Sequence, residues 1–309
     1  MTTPNVDNAF WDRCKHRAAL DLVDVPLLLR SGWYDTMTIQ TLAAYARTRD
    51  RGIKVYLTVG PWTHAEACGP NALPEVFDFL DDYVCGRKQD LRPLLVKIFV
   101  TGAEEWRSLP TWPLVTEERT FYLHGDKTLS AQSPAVDSPP LSFTYDPHNP
   151  TPTMGGPRLA RDGRVDDSAY ASRSDVLVYT GAPLIEDLEV MGKPIVQLAH
   201  STDVPYADLW IRLSEVDTDG VSHNLSENWQ ALDGVERQGG DFLLTLVDRA
   251  HVFKKNTSIR VIVAGSSFPL IARNPGTGRN RTQAKELKAV THTVQHENGI
   301  SKLVLPCSS

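Results

Sequence analysis

The sequence has no run close to the roughly 20 apolar residues that a membrane-spanning helix needs, so no membrane segment is expected. It also lacks an excess of basic residues. There are 32 Lys and Arg against 38 Asp and Glu, and the resulting net charge of -6 argues against binding to nucleic acid. The first residues lack the charged and apolar regions of a signal peptide, and a cytoplasmic location is therefore expected.

Cysteine is scarce, and no metal site or cofactor is expected. The chain has only four cysteines, which are far apart and form no C-x-x-C pair, so reduced thiols are expected. The histidines of the second half lack the spacing of zinc ligands. The acidic runs Asp166–Asp167 and Asp217–Asp219 lack the spaced oxygen ligands of a calcium loop and indicate solvated turns.

Two apolar runs near the start of the chain predict parallel strands. They are Val25–Leu29 and Ile53–Val59, and the segment between them has apolar residues at the spacing of a helix. The residues that show this spacing are Ile39, Leu42, Ala43 and Ala46. A strand, a helix and a second strand in this order indicate a βαβ unit.

A polar segment follows each of these predicted strands. Ser-Gly-Trp-Tyr-Asp ends at Asp35, and Gly-Pro-Trp-Thr-His ends at His64. Because catalytic groups collect at the carboxyl ends of parallel strands, both side chains are expected in one crevice and within hydrogen-bond reach. The order of the two residues suits the acid and the base of a hydrolase triad. Asp35 could instead cap the helix that begins near Thr36 or Thr38.

The nucleophile of such a triad is missing from the sequence. In α/β-hydrolases a serine on a G-x-S-x-G turn precedes the acid and the histidine, but no such turn occurs before Asp35. The pair Ser266-Ser267 lies far downstream, lacks a strand-turn-helix context and is not expected to attack a substrate.

The pattern of the chain changes near Thr116. Before this point the sequence shows strands and helices, including an apolar helical face from Val76 to Val84 that stops at Gly86. After it, short β-like runs alternate with Pro, Gly, Asp and Asn, and the Pro- and Gly-rich stretch 137–164 indicates a long excursion or linker. Two domains are predicted, an α/β domain at 1–115 and an all-β domain at 116–309.

A collinear series of short motifs resembles the CocE/NonD hydrolases, which include cocaine esterase and X-prolyl dipeptidyl aminopeptidases. The series covers nearly the whole chain. Its motifs are Phe10-Trp11-Asp12, the segments that end at Asp35 and His64, Val100-Thr101-Gly102 with Glu105-Trp106-Arg107, Ser174 to Tyr179, Asp217 to Gly220, Ser266 to Pro269, and Ser301 to Pro306.

The resemblance implies the C-terminal part of an α/β-hydrolase domain followed by a jelly-roll β-sandwich. It implies that Asp35 is the triad acid and His64 the triad base of a serine-type acyl hydrolase that cleaves a small ester or amide without a cofactor. Trp33, Tyr34 and Trp62 could line the substrate pocket, although aromatic residues at strand ends also serve packing. The family's serine and an oxyanion-hole tyrosine belong to an N-terminal region that this sequence lacks, so the chain alone is expected to be inactive.

Four interpretations of the whole chain remain open. It could be a fragment or shortened form of a hydrolase, or a chain whose nucleophile comes from a complementing N-terminal half. It could also be a catalytically dead remnant that serves as an interaction module, or a cleft recruited to a non-hydrolytic step on a secondary metabolite. Because the strand that would neighbour Val25–Leu29 is absent, an unpaired sheet edge and self-association are expected.

Overall fold

The computed structural model describes residues 9–14, 17–87, 92–232 and 240–308. The chain divides into two compact units. The first contains Met1–Leu114 and Pro157–Gly163, and the second contains Val115–Gly156 and Arg164–Ser309. Within the described residues, no helix is long and apolar enough to cross a membrane.

The first unit is built on a sheet of four strands in the order β1-β2-β3-β4. Strands β1, β2 and β3 run parallel, and β4 pairs with β3 in the antiparallel direction. The strands are β1 (Leu27–Gly32), β2 (Val55–Gly60), β3 (Val96–Val100) and β4 (Glu105–Leu109). The helices are α1 (Thr38–Arg49), α2 (His64–Ala67) and α3 (Leu73–Tyr83), with short 3-10 helices at Ala9–Cys14, Arg17–Leu22 and Pro70–Ala72.

Helix α1 forms where the sequence predicts it, but it buries a different face. Ile39 remains 49% exposed and Ala43 is exposed, whereas Leu42, Tyr45 and Thr48 are buried. Thr48 can be buried because its hydroxyl donates to the carbonyl of Ala44 at 2.7 Å. The predicted apolar stripe was only partly right, since Leu42 is buried and Ala46 half-buried but Ile39 and Ala43 are exposed. It followed apolar residues alone and ignored polar side chains that are satisfied inside the helix.

Helix α3 also forms as predicted, but its apolar face is not covered by the described residues. Phe77 is 58% exposed, Leu80 is 40% exposed and Val84, just after the helix, is 74% exposed. Tyr83 does make an internal contact, with its hydroxyl 3.0 Å from that of Tyr56 in β2. Helix α3 therefore has an apolar face like that of a core helix, but among the described residues this face is left exposed.

The second unit consists almost entirely of strands. Their order is β12-β11-β15-β8-β6-β5-β17-β10-β16-β7, with β13 beside β10 and β9 joining β14 to β17. The described pairings are antiparallel except that of β6 with β8. The strands are β5 (Glu117–Leu123), β6 (Thr128–Ser130), β7 (Leu141–Tyr145), β8 (Val176–Gly181), β9 (Leu188–Gly192), β10 (Ile195–Thr202), β11 (Asp208–Val216), β12 (Ser222–Ala231), β13 (Gly240–Thr245), β14 (Arg249–Phe253), β15 (Ser258–Ala264), β16 (Val290–Gln295) and β17 (Lys302–Cys307).

The core of this unit is apolar, and a buried ionic cluster lies beside it. Leu198, Leu209, Val261 and Leu303 are among its fully buried residues. Beside them, Arg212 is fully buried and donates to Glu227 at 2.7 Å and to Asp167 at 3.3 Å. Both carboxylates face the same guanidinium, so each buried anion has a cationic partner, and Ser214 Oγ also donates to Asp167 at 2.7 Å.

Candidate functional site

The ends of β1 and β2 lie side by side, and this places the two predicted site segments next to each other. Gly32 is in register with Gly60 at the carboxyl ends of the two strands. Beyond the strands, Trp33 N donates to Gly60 O at 2.8 Å and Tyr34 N donates to Trp62 O at 3.0 Å. The backbone pairing therefore continues into both loops.

This close approach requires glycine at position 32. A Cβ atom on Gly32 would lie 2.0 Å from the carbonyl oxygen of Trp62, far inside contact distance. That same carbonyl accepts the hydrogen bond from Tyr34 N, so it cannot move away without breaking the loop pairing. The glycine of the Ser-Gly-Trp-Tyr-Asp segment thus allows the two loops to meet.

The carboxylate of Asp35 is buried and held from several directions. Its side chain is only 3% exposed. Ser31 Oγ donates to Oδ2 at 3.0 Å, and Met37 N donates to Oδ1 at 2.8 Å. Helix α1 begins at Thr38 after Met37, so Asp35 is not its N-cap residue and that alternative was wrong.

His64 contacts this carboxylate directly. Its Nδ1 lies 3.0 Å from Asp35 Oδ1, within the range predicted from the placement of both residues at strand ends. The imidazole is 39% exposed, so one edge faces the buried carboxylate while the ring remains accessible. If Nδ1 carries the proton, it donates to Asp35 and leaves Nε2 free to accept a proton.

Helix α2 fixes the backbone of His64. The helix starts at His64 after a capping box, in which Glu66 accepts from Thr63 N at 2.8 Å and from Thr63 Oγ1 at 2.7 Å. Such a box satisfies the first amide groups of a helix that is too short to be stable alone. This short helix was not predicted from the sequence, although Thr63 and Glu66 have the three-residue spacing of a capping box.

The segment Pro157–Gly163 holds both loops. Arg158 N donates to Tyr34 O at 2.8 Å, and Arg158 O accepts from His64 N at 3.1 Å. The next backbone contact joins Ala65 N to Leu159 O at 2.8 Å. These residues were predicted to lie in a long excursion or linker, and no local pattern in the sequence signals that they return to the first unit.

The three aromatic residues predicted near a substrate have different surroundings. Trp33 and Tyr34 are 4% and 3% exposed, and the indole of Trp33 donates to Phe99 O at 2.7 Å and packs against Trp112. Trp62 is partly exposed and packs against Trp106, with ring centroids 5.4 Å apart. Contact of any of the three with a substrate stays a prediction.

The other candidate groups lie in the second unit. Ser267 is fully buried, and its hydroxyl lies 3.0 Å from that of Thr153. His200 and His292 form a buried pair with His200 Nε2 3.0 Å from His292 Nδ1. Within the described ranges, no group of three or more His, Cys, Asp or Glu residues is placed to hold a metal ion.

Three cysteines are free thiols. They are Cys68 and Cys85 in the first unit and Cys307 in the second.

Two family models match this chain. Residues 93–304, more than half of the sequence, match the X-Pro dipeptidyl-peptidase C-terminal non-catalytic domain. Residues 1–66 match the X-Pro dipeptidyl-peptidase (S15 family). Asp35 and His64 both fall within the second match and outside the non-catalytic one.

Comparisons with individual proteins agree with these matches. Cocaine esterase from Rhodococcus sp. (strain MB1 Bresler) is 29% identical over 91% of this chain, which spans 56% of that relative's length. The fold resembles an aminopeptidase from a marine sediment Thaumarchaeota archaeon (TM-score 0.84) and an alpha-amino acid ester hydrolase (TM-score 0.83). Each is 23% identical, with 97% of this chain covering 58% of that structure. The chain therefore belongs to the CocE/NonD family of X-Pro dipeptidyl-peptidases and esterases, of which it represents the C-terminal portion.

Proposed function

We propose that this chain carries the acid and the base of a serine-type acyl hydrolase that cleaves a small ester or amide. The observation that carries the proposal is the contact between the buried carboxylate of Asp35 and Nδ1 of His64. The relatives named above as an esterase, an ester hydrolase and an aminopeptidase all act on acyl bonds and support the same chemistry.

The roles of the two residues follow from their geometry. A serine hydroxyl attacks the acyl carbon while His64 Nε2 takes its proton, and the same nitrogen later protonates the leaving group. Asp35 holds the imidazole with Nδ1 toward the carboxylate and stabilises the imidazolium that forms during attack. No cofactor enters these steps.

We assign the two units to the two parts that such an enzyme would have. The parallel strands β1 to β3 with their helices suit the C-terminal part of an α/β-hydrolase domain, at about residues 1–115. The largely antiparallel second unit suits a jelly-roll β-sandwich at about 116–309. The segment Pro157–Gly163 modifies this division because it belongs to the first unit.

The nucleophile in this proposal lies outside the 309 residues. The sequence contains no G-x-S-x-G turn ahead of Asp35, and the chain spans 56% of cocaine esterase. The full reaction then needs a segment that supplies the serine and the oxyanion-hole donors, each of which is worth roughly 3 to 4 kcal/mol. His64 and Asp35 alone can only activate water.

The test compares this chain with a longer one. DNA upstream of the Met1 codon is sequenced, and the proposal expects an in-frame strand, serine turn and helix. The joined protein should hydrolyse p-nitrophenyl acetate. His64→Ala or Asp35→Asn should each lower kcat by about 10³-fold or more. The surface variant His148→Ala, in which an exposed histidine is removed, is the matched control.

The 309-residue chain offers a second readout that needs no nucleophile. Long-range ¹H–¹⁵N NMR near neutral pH should place the proton of His64 on Nδ1, and Asp35→Asn should change this tautomer preference. A proton found on Nε2 in the unmodified chain would contradict the assignment of His64 as base. Esterase activity of the 309-residue chain that is blocked by a serine-directed phosphonate would contradict the missing nucleophile.

A further inference from the structure

The first unit contains a cavity of about 430 Å³ apart from the acid-base pair. Neither Asp35 nor His64 lines it. Its walls come from all four strands, β1 to β4, from α3 and from the segments around them. The residues that carry the argument are Arg30, Trp62, Glu75, Arg92, Lys97 and Trp106.

Two guanidinium groups in this cavity share one carboxylate. Arg92 Nη1 donates to Glu75 Oε1 at 2.7 Å, and Arg30 Nη1 donates to the other oxygen of the same side chain. The side chains of Arg30, Arg92 and Glu75 are 10%, 11% and 16% exposed, respectively. One anion therefore faces two largely buried cations, which leaves positive charge that burial makes costly.

The buried position of Arg92 disfavours its positive charge. Burial lowers the pKa of Arg92, Glu75 opposes the shift, and the neighbouring charge of Arg30 lowers the pKa further. Both Nη atoms of Arg92 already donate, Nη1 to Glu75 and Thr58 and Nη2 to the carbonyl oxygens of Leu57 and Leu95. The two guanidinium groups therefore offer a ligand mainly their charge. An additional anion in the cavity would relieve the repulsion between the two guanidinium groups.

A third cation and two aromatic rings complete the cavity wall. Lys97 Nζ lies 4.9 Å from the ring centroid of Trp106 and has no ion pair with the described residues. Trp106 packs against Trp62, whose ring lies under the Arg30 guanidinium at 4.9 Å. The exposed Asp78 also lines the cavity, so the five charged lining residues carry three positive and two negative charges.

We propose that this cavity binds a small molecule through an oxyanion, either a carboxylate or a phosphate group. The oxyanion accepts a hydrogen bond from Lys97 Nζ and is attracted by the charges of Arg30 and Arg92, while the carboxylate of Glu75 opposes its binding. The tryptophan rings contact the rest of the ligand. Binding at this place uses neither residue of the acid-base pair, although it shares Trp62 with the predicted substrate pocket.

The test is isothermal titration calorimetry of the 309-residue chain with sodium phosphate and, separately, with sodium acetate. Ionic strength is held constant with sodium chloride, so that general screening does not change between injections. Saturable binding of one equivalent is expected for at least one anion. Tighter binding of phosphate would identify a phosphate-bearing ligand, and tighter binding of acetate a carboxylate.

Three variants separate this site from general surface charge. Lys97→Gln should weaken binding about tenfold through loss of a charge-assisted contact. Lys54→Gln removes the same charge from a lysine that stacks on Tyr56 and Tyr83 and does not line the cavity, so affinity should be unchanged. Glu75→Gln should tighten binding, because it removes the opposing carboxylate. Thermal unfolding in the presence and absence of the anion should then show a larger stabilisation in this variant than in the parent.

The proposal fails if neither anion gives saturable heat. It also fails if Lys54→Gln weakens binding as much as Lys97→Gln, or if Glu75→Gln weakens it. The decisive result is that Lys97→Gln lowers the affinity for the anion whereas Glu75→Gln raises it. If both residues had a merely structural role, both variants would bind the anion more weakly.

Discussion

Ser31 donates a hydrogen bond from Oγ to Oδ2 of Asp35 at 3.0 Å, at a point where both side chains are buried. Ser31 lies near the end of β1, and Asp35 lies in the loop between β1 and α1. The contact occupies the carboxylate oxygen that faces away from His64, because His64 Nδ1 lies beside Oδ1. Ser31 therefore acts on the imidazole through Asp35, by fixing the plane of the carboxylate.

Ser31→Ala should lower the free energy of unfolding of the first unit by about 1 to 3 kcal/mol, because it removes the hydroxyl donor to a buried carboxylate oxygen. Urea denaturation followed by Trp fluorescence measures this change. Ser142→Ala is the control, since its hydroxyl lies on an exposed strand 2.9 Å from Thr293, where water can replace the lost contact. Equal losses in both variants would contradict a special role for Ser31.

Gly32→Ala should destabilise the first unit more than the addition of one methyl group usually does. The added methyl would lie 2.0 Å from Trp62 O, so the segment that carries His64 must move away from the one that carries Asp35. We expect a loss of about 1 to 3 kcal/mol in the free energy of unfolding, together with an altered His64 imidazole signal in NMR spectra.

Gly69→Ala provides the comparison for that experiment. Its Cβ would lie 3.1 Å from Ala65 O, a tight but tolerable contact, in the same unit and close to His64. It should cost less stability and leave the imidazole signal in place. A Gly32→Ala variant whose His64 signal is unchanged would show that the two loops can meet without glycine.

The meeting of Asp35 and His64 could be predicted because it depends on local patterns and one general rule. The strand, helix and strand are each visible in the sequence, and parallel strands bring their carboxyl ends together. The β-strands of the second unit were also predictable wherever turn residues bound an apolar run, as in β11 and β15.

Other features depend on contacts between distant parts of the chain, and the sequence carries no local signal for them. The backbone bonds of Arg158 to Tyr34 and His64 join segments about a hundred residues apart, and no periodicity marks them. The exposure of Phe77 shows the opposite case. There the pattern correctly predicts a helix, but the partner that would bury its apolar face cannot be deduced from the helix itself.

Stability should fall in mild acid because of buried histidines in the second unit. Burial, reinforced by the neighbouring His200, holds the pKa of His292 well below its usual value of 6.5, and burial also lowers the pKa values of His251 and His296. Below about pH 6.5 the unfolded chain binds protons that the folded chain does not. The free energy of unfolding should therefore decrease as the pH falls from about 6.5 toward 5, by up to about 1.4 kcal/mol per pH unit for each such histidine.

His292→Gln should reduce the pH slope of that stability curve, because the replacement cannot take up a proton. Chemical denaturation at a series of pH values measures the slope, which matters here more than the stability at any one pH. His148→Gln, which replaces an exposed histidine, should leave the slope unchanged. Parallel curves for His292→Gln and the parent protein would show that other groups control the acid sensitivity.

The edge position of β1 predicts that the 309-residue chain associates with itself. Among the described residues β1 pairs only with β2, so the backbone groups along its other side are available to a second strand. Light scattering after size-exclusion chromatography should show a mass that rises over a roughly hundredfold increase in protein concentration. Val25→Lys, which places a charge beside the edge at a residue that is 57% exposed, should reduce this association, whereas Val136→Lys at a 71% exposed loop position should not.

A Phe77→Glu variant tests whether the chains associate through the edge of β1 or through the apolar face of α3. If it abolishes association while Val25→Lys has no effect, the chains meet through the helix and the sheet edge is not the contact.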